Sequence, residues 1–231
     1  MSRLRLQLHL AARGGCCDDL AARARELAHS AAATCGDNAS VTLLTEVDND
    51  PFPAANPLCR PFEVVLEVET DSTSGLGLFL DAVPNFGDRV AELAHLDLSA
   101  ALVGAPQKLI PCTPPPLRYL YLMRRKAHTT HAAYIDYYFH NHSNFGFRTP
   151  NISGYTQFHV DAAASSEVAT RLGVGTTIVD SVSELMIASL DSFFEGIGDG
   201  RLGSEAAEDE ARFVDRDNSI SFLCTTETIV P

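Results

Sequence analysis

The sequence predicts an α+β chain built twice, with two β-α-β-β-α-β units fused into one barrel. Three observations carry this. The chain opens on strict period-two alternation, Arg3-Leu4-Arg5-Leu6-Gln7-Leu8-His9-Leu10, which marks a strand. A breaker, Pro111-Cys112-Thr113-Pro114-Pro115-Pro116, divides the 231 residues near their middle. The same order of strands and helices is then read on both sides of it.

In the first half a helix follows from about Cys17 to Ala32, with Asp18 and Asp19 favourable in its first turn. Ser40–Glu46 and Phe62–Thr70 read as strands, separated by a Pro/Asn-rich loop over Asp48–Pro61. A helical region over Gly75–Ala94, broken near Pro84, leads into a last strand within Leu98–Ile110. In the second half Arg118–Arg124 is a strand and Thr130–Asn141 a helix with Thr130 as N-cap. Gly154–Val160 and Ser181–Ala188 are strands, Leu190–Ile197 and Glu205–Phe213 helical, and Ser219–Ile229 the closing strand. Each half fits a ferredoxin-like split βαβ unit. Such a unit leaves one sheet face bare, and two of them facing each other close an intrachain α+β barrel. The expected division is residues 1–112 and 117–231. The halves share no clear residue identity, so element order alone carries the duplication.

The balance of 17 basic against 30 acidic residues gives −13, which removes the usual electrostatic basis for nucleic-acid binding and disfavours anionic membranes. No apolar run reaches the roughly 18–20 residues that cross a bilayer, and the N-terminus lacks a signal-peptide pattern. A cytoplasmic protein with its six cysteines reduced is expected. No Cys/His spacing suggests a metal, no glycine motif a dinucleotide and no lysine a Schiff base. Metal and cofactor are both expected to be none.

Candidate chemistry lies in the second half. Tyr134, Tyr138 and His142 recur every four residues and share one helix face. His142, near a helix C-terminus, suits proton transfer, though a capping or core-edge role stays open. His140 and His142 diverge by about 200° on a regular helix, which is awkward for joint metal ligation. On the next strand Tyr155, Gln157 and His159 share one face and Thr156, Phe158 and Val160 the other. The polar trio suits a cavity wall or a solvent-facing strand, and Phe158 and Val160 suit packing under helices. Glu184, inside an apolar strand, is either an edge charge or a site acid. Arg125, within Arg124-Arg125-Lys126, is a candidate for anionic groups or a solvated strand end.

Residues Leu117 to Val230 resemble the EthD family of the dimeric α+β barrel superfamily. The resemblance rests on Tyr119 to Tyr134, on Tyr137-Tyr138 followed by His142, and on Gly154-Tyr155-Thr-Gln157-Phe-His159-Val. Asp180-Ser-Val-Ser-Glu184-Leu and Glu208-Asp209-Glu-Ala-Arg-Phe213-Val-Asp215 complete it. The chain departs from the family pattern in having no tryptophan and in Ser143-Asn144 after the histidine. The resemblance implies a ferredoxin-like barrel, usually formed by two subunits, with a site inside. Relatives include cofactor-free monooxygenases, isomerases, cyclases or decarboxylases, and haem enzymes, so membership alone chooses no reaction. The first half lacks an Arg–Tyr–Tyr–His series and is expected to close the barrel, leaving one site per chain.

The expected function is cofactor-independent acid/base chemistry, of isomerase or lyase type, on an apolar carbonyl or phenolic molecule. His142, His159 and Glu184 are expected to be catalytic within one barrel cavity, with Arg125, Tyr138, Tyr155 and Gln157 positioning substrate oxygens. A cofactor-free monooxygenase, a non-catalytic small-molecule-binding accessory protein and haem binding through a histidine stay open. So does a homodimer through another surface.

Overall fold

The computed structural model describes residues 3–52, 62–112 and 116–230. Cys59 and part of the Pro-rich breaker lie outside them. Eight strands, β1 (Leu4–Leu10), β2 (Ser40–Glu46), β3 (Val64–Thr70), β4 (Ala100–Ile110), β5 (Leu117–Met123), β6 (Gly154–Asp161), β7 (Ser181–Ile187) and β8 (Ile220–Ile229), close a barrel. Their order is β1-β3-β2-β8-β5-β7-β6-β4, and each half contributes four consecutive neighbours. Every pairing is antiparallel, including β2 with β8 and β4 with β6, which join the halves. The expected tandem ferredoxin-like barrel is therefore the observed fold.

On the first half α1 (Cys17–Cys35), α2 (Thr73–Ala82) and α3 (Phe86–Val90) cover the sheet. The single region read over Gly75–Ala94 is two helices, because Pro84 and Asn85, the latter at φ 53°, turn the chain between them. Leu6, Leu8 and Leu10 face this layer and pack with Leu20, Leu27 and Phe79. A helix absent from the sequence reading, α6 (Ala162–Leu172), also joins it, placing Val168, Ala169 and Leu172 in the same core. Asp161 Oδ1 caps α6 by accepting from the amides of Ala163 and Ala164, and Gly173 at φ 71° ends it.

The second half is covered by α4 (His131–Tyr137), α5 (Ser143–Arg148), α7 (Leu190–Ile197) and α8 (Arg201–Phe213). Between α4 and α5 the chain makes a π-turn over Tyr138–His142, so the helix read over Thr130–Asn141 continues through Arg148.

The barrel interior is packed with side chains and leaves a small pocket of about 150 Å³ at its ionic end, lined by Arg5, Glu67, Glu69 and Arg118; none of the expected histidines borders it. One end holds Phe62, Val65, Leu120, Leu122, Phe158, Val160, Val182 and Phe222. The other holds a buried ionic network built on Arg5, whose guanidinium donates to Glu184 at 2.7 Å and Glu69 at 2.8 Å and lies 3.3 Å from Glu67. Arg118 donates to Glu67 at 2.8 Å, and Gln7 donates to both Glu67 and Glu184. Burial raises the Glu67 carboxyl, but Arg118 and then Arg5 overcome it and hold the group at about 2. Burial pushes His9, which faces Gln7 at 3.1 Å, down to about 3.

Candidate active site

The candidate site is a cavity outside the barrel, between the outer face of the second sheet and its helices. Period two still governs β6, but with its faces exchanged from the expectation. Phe158 fills the barrel, while Tyr155, Gln157 and His159 lie on the helix-covered side. Both faces of a strand are buried in such a barrel, so apolarity alone does not distinguish them.

Tyr134 and Tyr138 lie fully buried against this sheet, Tyr134 bonded to Ser181 Oγ at 2.7 Å. Next in the same stripe, His142 is buried among Tyr138, Phe145 and Phe213, with ring centroids 5.1–5.9 Å away. Its Nδ1 meets Asp209 Oδ2 at 2.9 Å. Asp209 Oδ1 accepts from the Tyr137 hydroxyl at 2.6 Å and from Arg212 at 3.2 Å. Asp209 thereby fixes the Nδ1–H tautomer, and the basic Nε2 lies 3.8 Å from Glu210 Oε1. Burial holds the His142 pKa below its ordinary value, against the pull of Asp209, so the imidazole is a free base at neutral pH.

His142 and Glu210 border a cavity of about 340 Å³. Its floor is Tyr119, Tyr121, Tyr155, Ser183 and Leu185, and its roof comes from α7 and α8. Gly146 lets the floor close, since a Cβ there would lie 2.2 Å from the Tyr155 ring. The first half does more than close the barrel. Its Phe52 lines the cavity and packs on Tyr119 at 4.7 Å and on Phe193 and Phe194 at 5.4 Å.

Glu210 escaped the sequence reading. Burial pushes its carboxyl up to about 7, against Arg216, whose Nε is 3.7 Å away. Its folded pKa exceeds the ordinary 4.5, so this group's contribution is intact below pH 4.5 and lost as pH rises through about 7. That gap corresponds to about 3 kcal/mol. The stability advantage of Glu210→Gln over wild type is therefore expected to grow by about 3 kcal/mol between pH 4 and pH 8 in urea unfolding. Parallel pH dependences would contradict this placement of the carboxyl.

The other expected site residues divide. Tyr138 and Tyr155 stand beside His142, and Gln157 binds both, donating to the Tyr138 carbonyl at 3.1 Å and the Tyr155 hydroxyl at 2.8 Å. His159 lies on the far side of Tyr138, with centroids 6.1 Å apart, and shares no cavity with His142. It faces a separate groove between α4 and α6, together with Arg125, which is paired with Asp180 at 2.5 Å. Glu184 lies on the opposite face of the sheet, in the barrel network. Its partners Arg5 and Gln7 come from the other half, which is why a carboxylate is tolerated there. Arg125 and Glu184 thus stand away from this site. No group of three or more His, Cys, Asp or Glu side chains suited to a metal occurs among the described residues. The five cysteines among them are free. No helix among them is long and apolar enough to cross a membrane.

Two fused ferredoxin-like halves closing one barrel, with a helix-roofed cavity on the second, define a chain of the dimeric α+β barrel fold. Within its C-terminal half, residues 126–217 match the model of the EthD domain family. No curated protein matches the sequence. Among solved structures, an anthrone oxidase-like protein superposes with a TM-score of 0.61 at 11% identity, covering 98% of this chain and 93% of its own. A Lactobacillus acidophilus NCFM protein assigned as a monooxygenase gives 0.57 at 9% identity, covering 100% and 98%. A chlorite dismutase variant from Candidatus Nitrospira defluvii gives 0.57 at 11% identity, covering 97% and 92%. At these identities the likeness is one of fold.

Proposed function

We propose that the chain is a small enzyme that moves a proton on an aromatic carbonyl or phenolic compound held in the roofed cavity. The observation that carries this reading is the Asp209–His142 pair with Nε2 turned toward Glu210. In a substrate bound there, His142 Nε2 takes a proton from the carbon beside a carbonyl, and Asp209 stabilises the imidazolium that forms. Glu210, titrating near neutrality, delivers a proton either to another carbon of the enolate, which completes an isomerisation, or to a hydroxyl on the carbon β to the carbonyl, whose C–O bond breaks to release water and complete an elimination. The aromatic lining of Phe52, Tyr119, Phe145, Phe193 and Phe194 favours flat fused rings by stacking. No step requires a bound cofactor. A haem does not fit at His142, because the Glu210 carboxyl stands where Nε2 would meet a porphyrin.

A second reading, a cofactor-free monooxygenase, is favoured by the names of the structures reported above. There the same base forms a carbanion that reacts with dioxygen. Both readings begin with proton abstraction, so one assay tests their common step. Deuterium uptake into the CH2 groups flanking the carbonyl of 2-tetralone, a fused-ring ketone, should be accelerated by the protein in D2O and followed by NMR. Oxygen uptake with anthrone separates the readings: its presence supports oxygenation, its absence isomerisation or elimination. Exchange no faster than in buffer, for 2-tetralone and anthrone alike, contradicts both.

A further inference from the structure

The direction of one hydroxyl in the cavity is fixed by residues that lie outside it. The main-chain carbonyl of Tyr138 can only accept, so the Gln157 group 3.1 Å from it must be the amide nitrogen. That nitrogen also donates to the Tyr155 oxygen at 2.8 Å. The amide oxygen is left facing His159 Nε2 at 3.2 Å, and it can only accept, so His159 carries its proton on Nε2. Burial pushes His159 down to about 4, which keeps the ring neutral. Gln157 is therefore anchored at both ends. The Tyr155 oxygen accepts from Gln157 and also stands beside the Tyr138 and Ser183 hydroxyls; with one of these as its second donor, its own proton is the one left to be donated on the cavity side.

We propose that Tyr155 is the hydrogen-bond donor to the carbonyl oxygen of the substrate, and that Gln157, held by His159 and the Tyr138 carbonyl, is the positioning residue that sets this polarity. The proposal rests on the cavity and proton-transfer reading above and adds the partner of the substrate's oxygen. As His142 withdraws a proton, negative charge develops on that oxygen, and a fixed donor there lowers the barrier. The ligand class follows: a fused-ring compound whose oxygen accepts, a ketone in preference to the hydrocarbon of the same shape. His159 acts through Gln157 and touches no substrate.

The test compares binding of 2-tetralone with that of tetralin, which lacks the oxygen, by titration calorimetry. Wild type is expected to prefer the ketone by roughly 2- to 12-fold, the value of one neutral hydrogen bond. Tyr155→Phe, which keeps the ring, should remove that preference and leave tetralin binding unchanged. Gln157→Glu should invert the polarity, because a carboxylate accepts the Tyr155 proton and turns it from the cavity. In that variant 2-naphthol, which can donate, should bind better than 2-tetralone, and His159→Phe should weaken the ketone preference partially. Survival of the full preference in Tyr155→Phe overturns the donor assignment while leaving the cavity reading intact. Failure of wild type to bind any of the three probes overturns the cavity reading and the donor assignment with it. Should Gln157→Glu not fold, Tyr155→Phe alone decides.

Discussion

His142→Ala is expected to lower the rate of deuterium uptake into 2-tetralone by roughly 10²–10⁴, the usual range for a lost general base. Three features concentrate the effect on this side chain. Asp209 holds its Nδ1–H at 2.9 Å, so the free lone pair has one direction. Burial keeps it unprotonated at neutral pH. Tyr138, Phe145 and Phe213 confine the ring, so solvent cannot easily stand in for it. The cavity remains lined by its aromatic residues in the variant, so binding of 2-tetralone should change far less than its exchange. Asp209→Asn should show a smaller loss, because the imidazole survives but its tautomer is no longer enforced. Full activity in His142→Ala would transfer the base role to Glu210 or end the catalytic reading.

Arg5→Ala is expected to destabilise the fold by about 3–5 kcal/mol, the cost of leaving buried charges without their partner. Arg5 is 2% exposed and stands among Glu67, Glu69 and Glu184, of which Glu184 is fully buried. Without the guanidinium, Glu67 and Glu69 lose a charge that holds them below their ordinary range, and burial then favours their neutral forms. The stability they then allow is present at acid pH and lost as pH rises, so the deficit of the variant should shrink from pH 8 toward pH 4.5. A cost below about 1 kcal/mol at pH 8, with no such pH dependence, would show that water replaces the ion pairs inside the barrel.

The strands were legible because alternation survives in both layers of the molecule. In β1 the leucines pack under helices and Arg5, Gln7 and His9 enter the barrel. The period reveals the strand, but the polar face does not point to solvent as polarity suggests. The same ambiguity put Tyr155, Gln157 and His159 inside the barrel with Glu184, and Phe158 under the helices, whereas Glu184 and Phe158 are the ones that enter the barrel. Helix α6 carried a readable cap at Asp161 and a stop at Gly173, but its buried face is largely small, and only docking on β4 of the other half makes it a core element. His142 was legible from its spacing with Tyr134 and Tyr138. Its partners Asp209 and Glu210 sit 67 and 68 positions away, and no local pattern marks a carboxyl whose pKa depends on burial. The π-turn likewise has no visible signal in the sequence.

The central claim is the location of the site, and a crystal structure of the protein with 2-tetralone tests it most directly. The expected result is ligand density on the outer face of the second sheet, its rings among Phe52, Tyr119 and Phe193, its oxygen at Tyr155 and a CH2 group facing His142 Nε2. Density within the barrel beside Glu184, or in the groove between α4 and α6 beside Arg125 and His159, with the roofed cavity empty, would contradict the account.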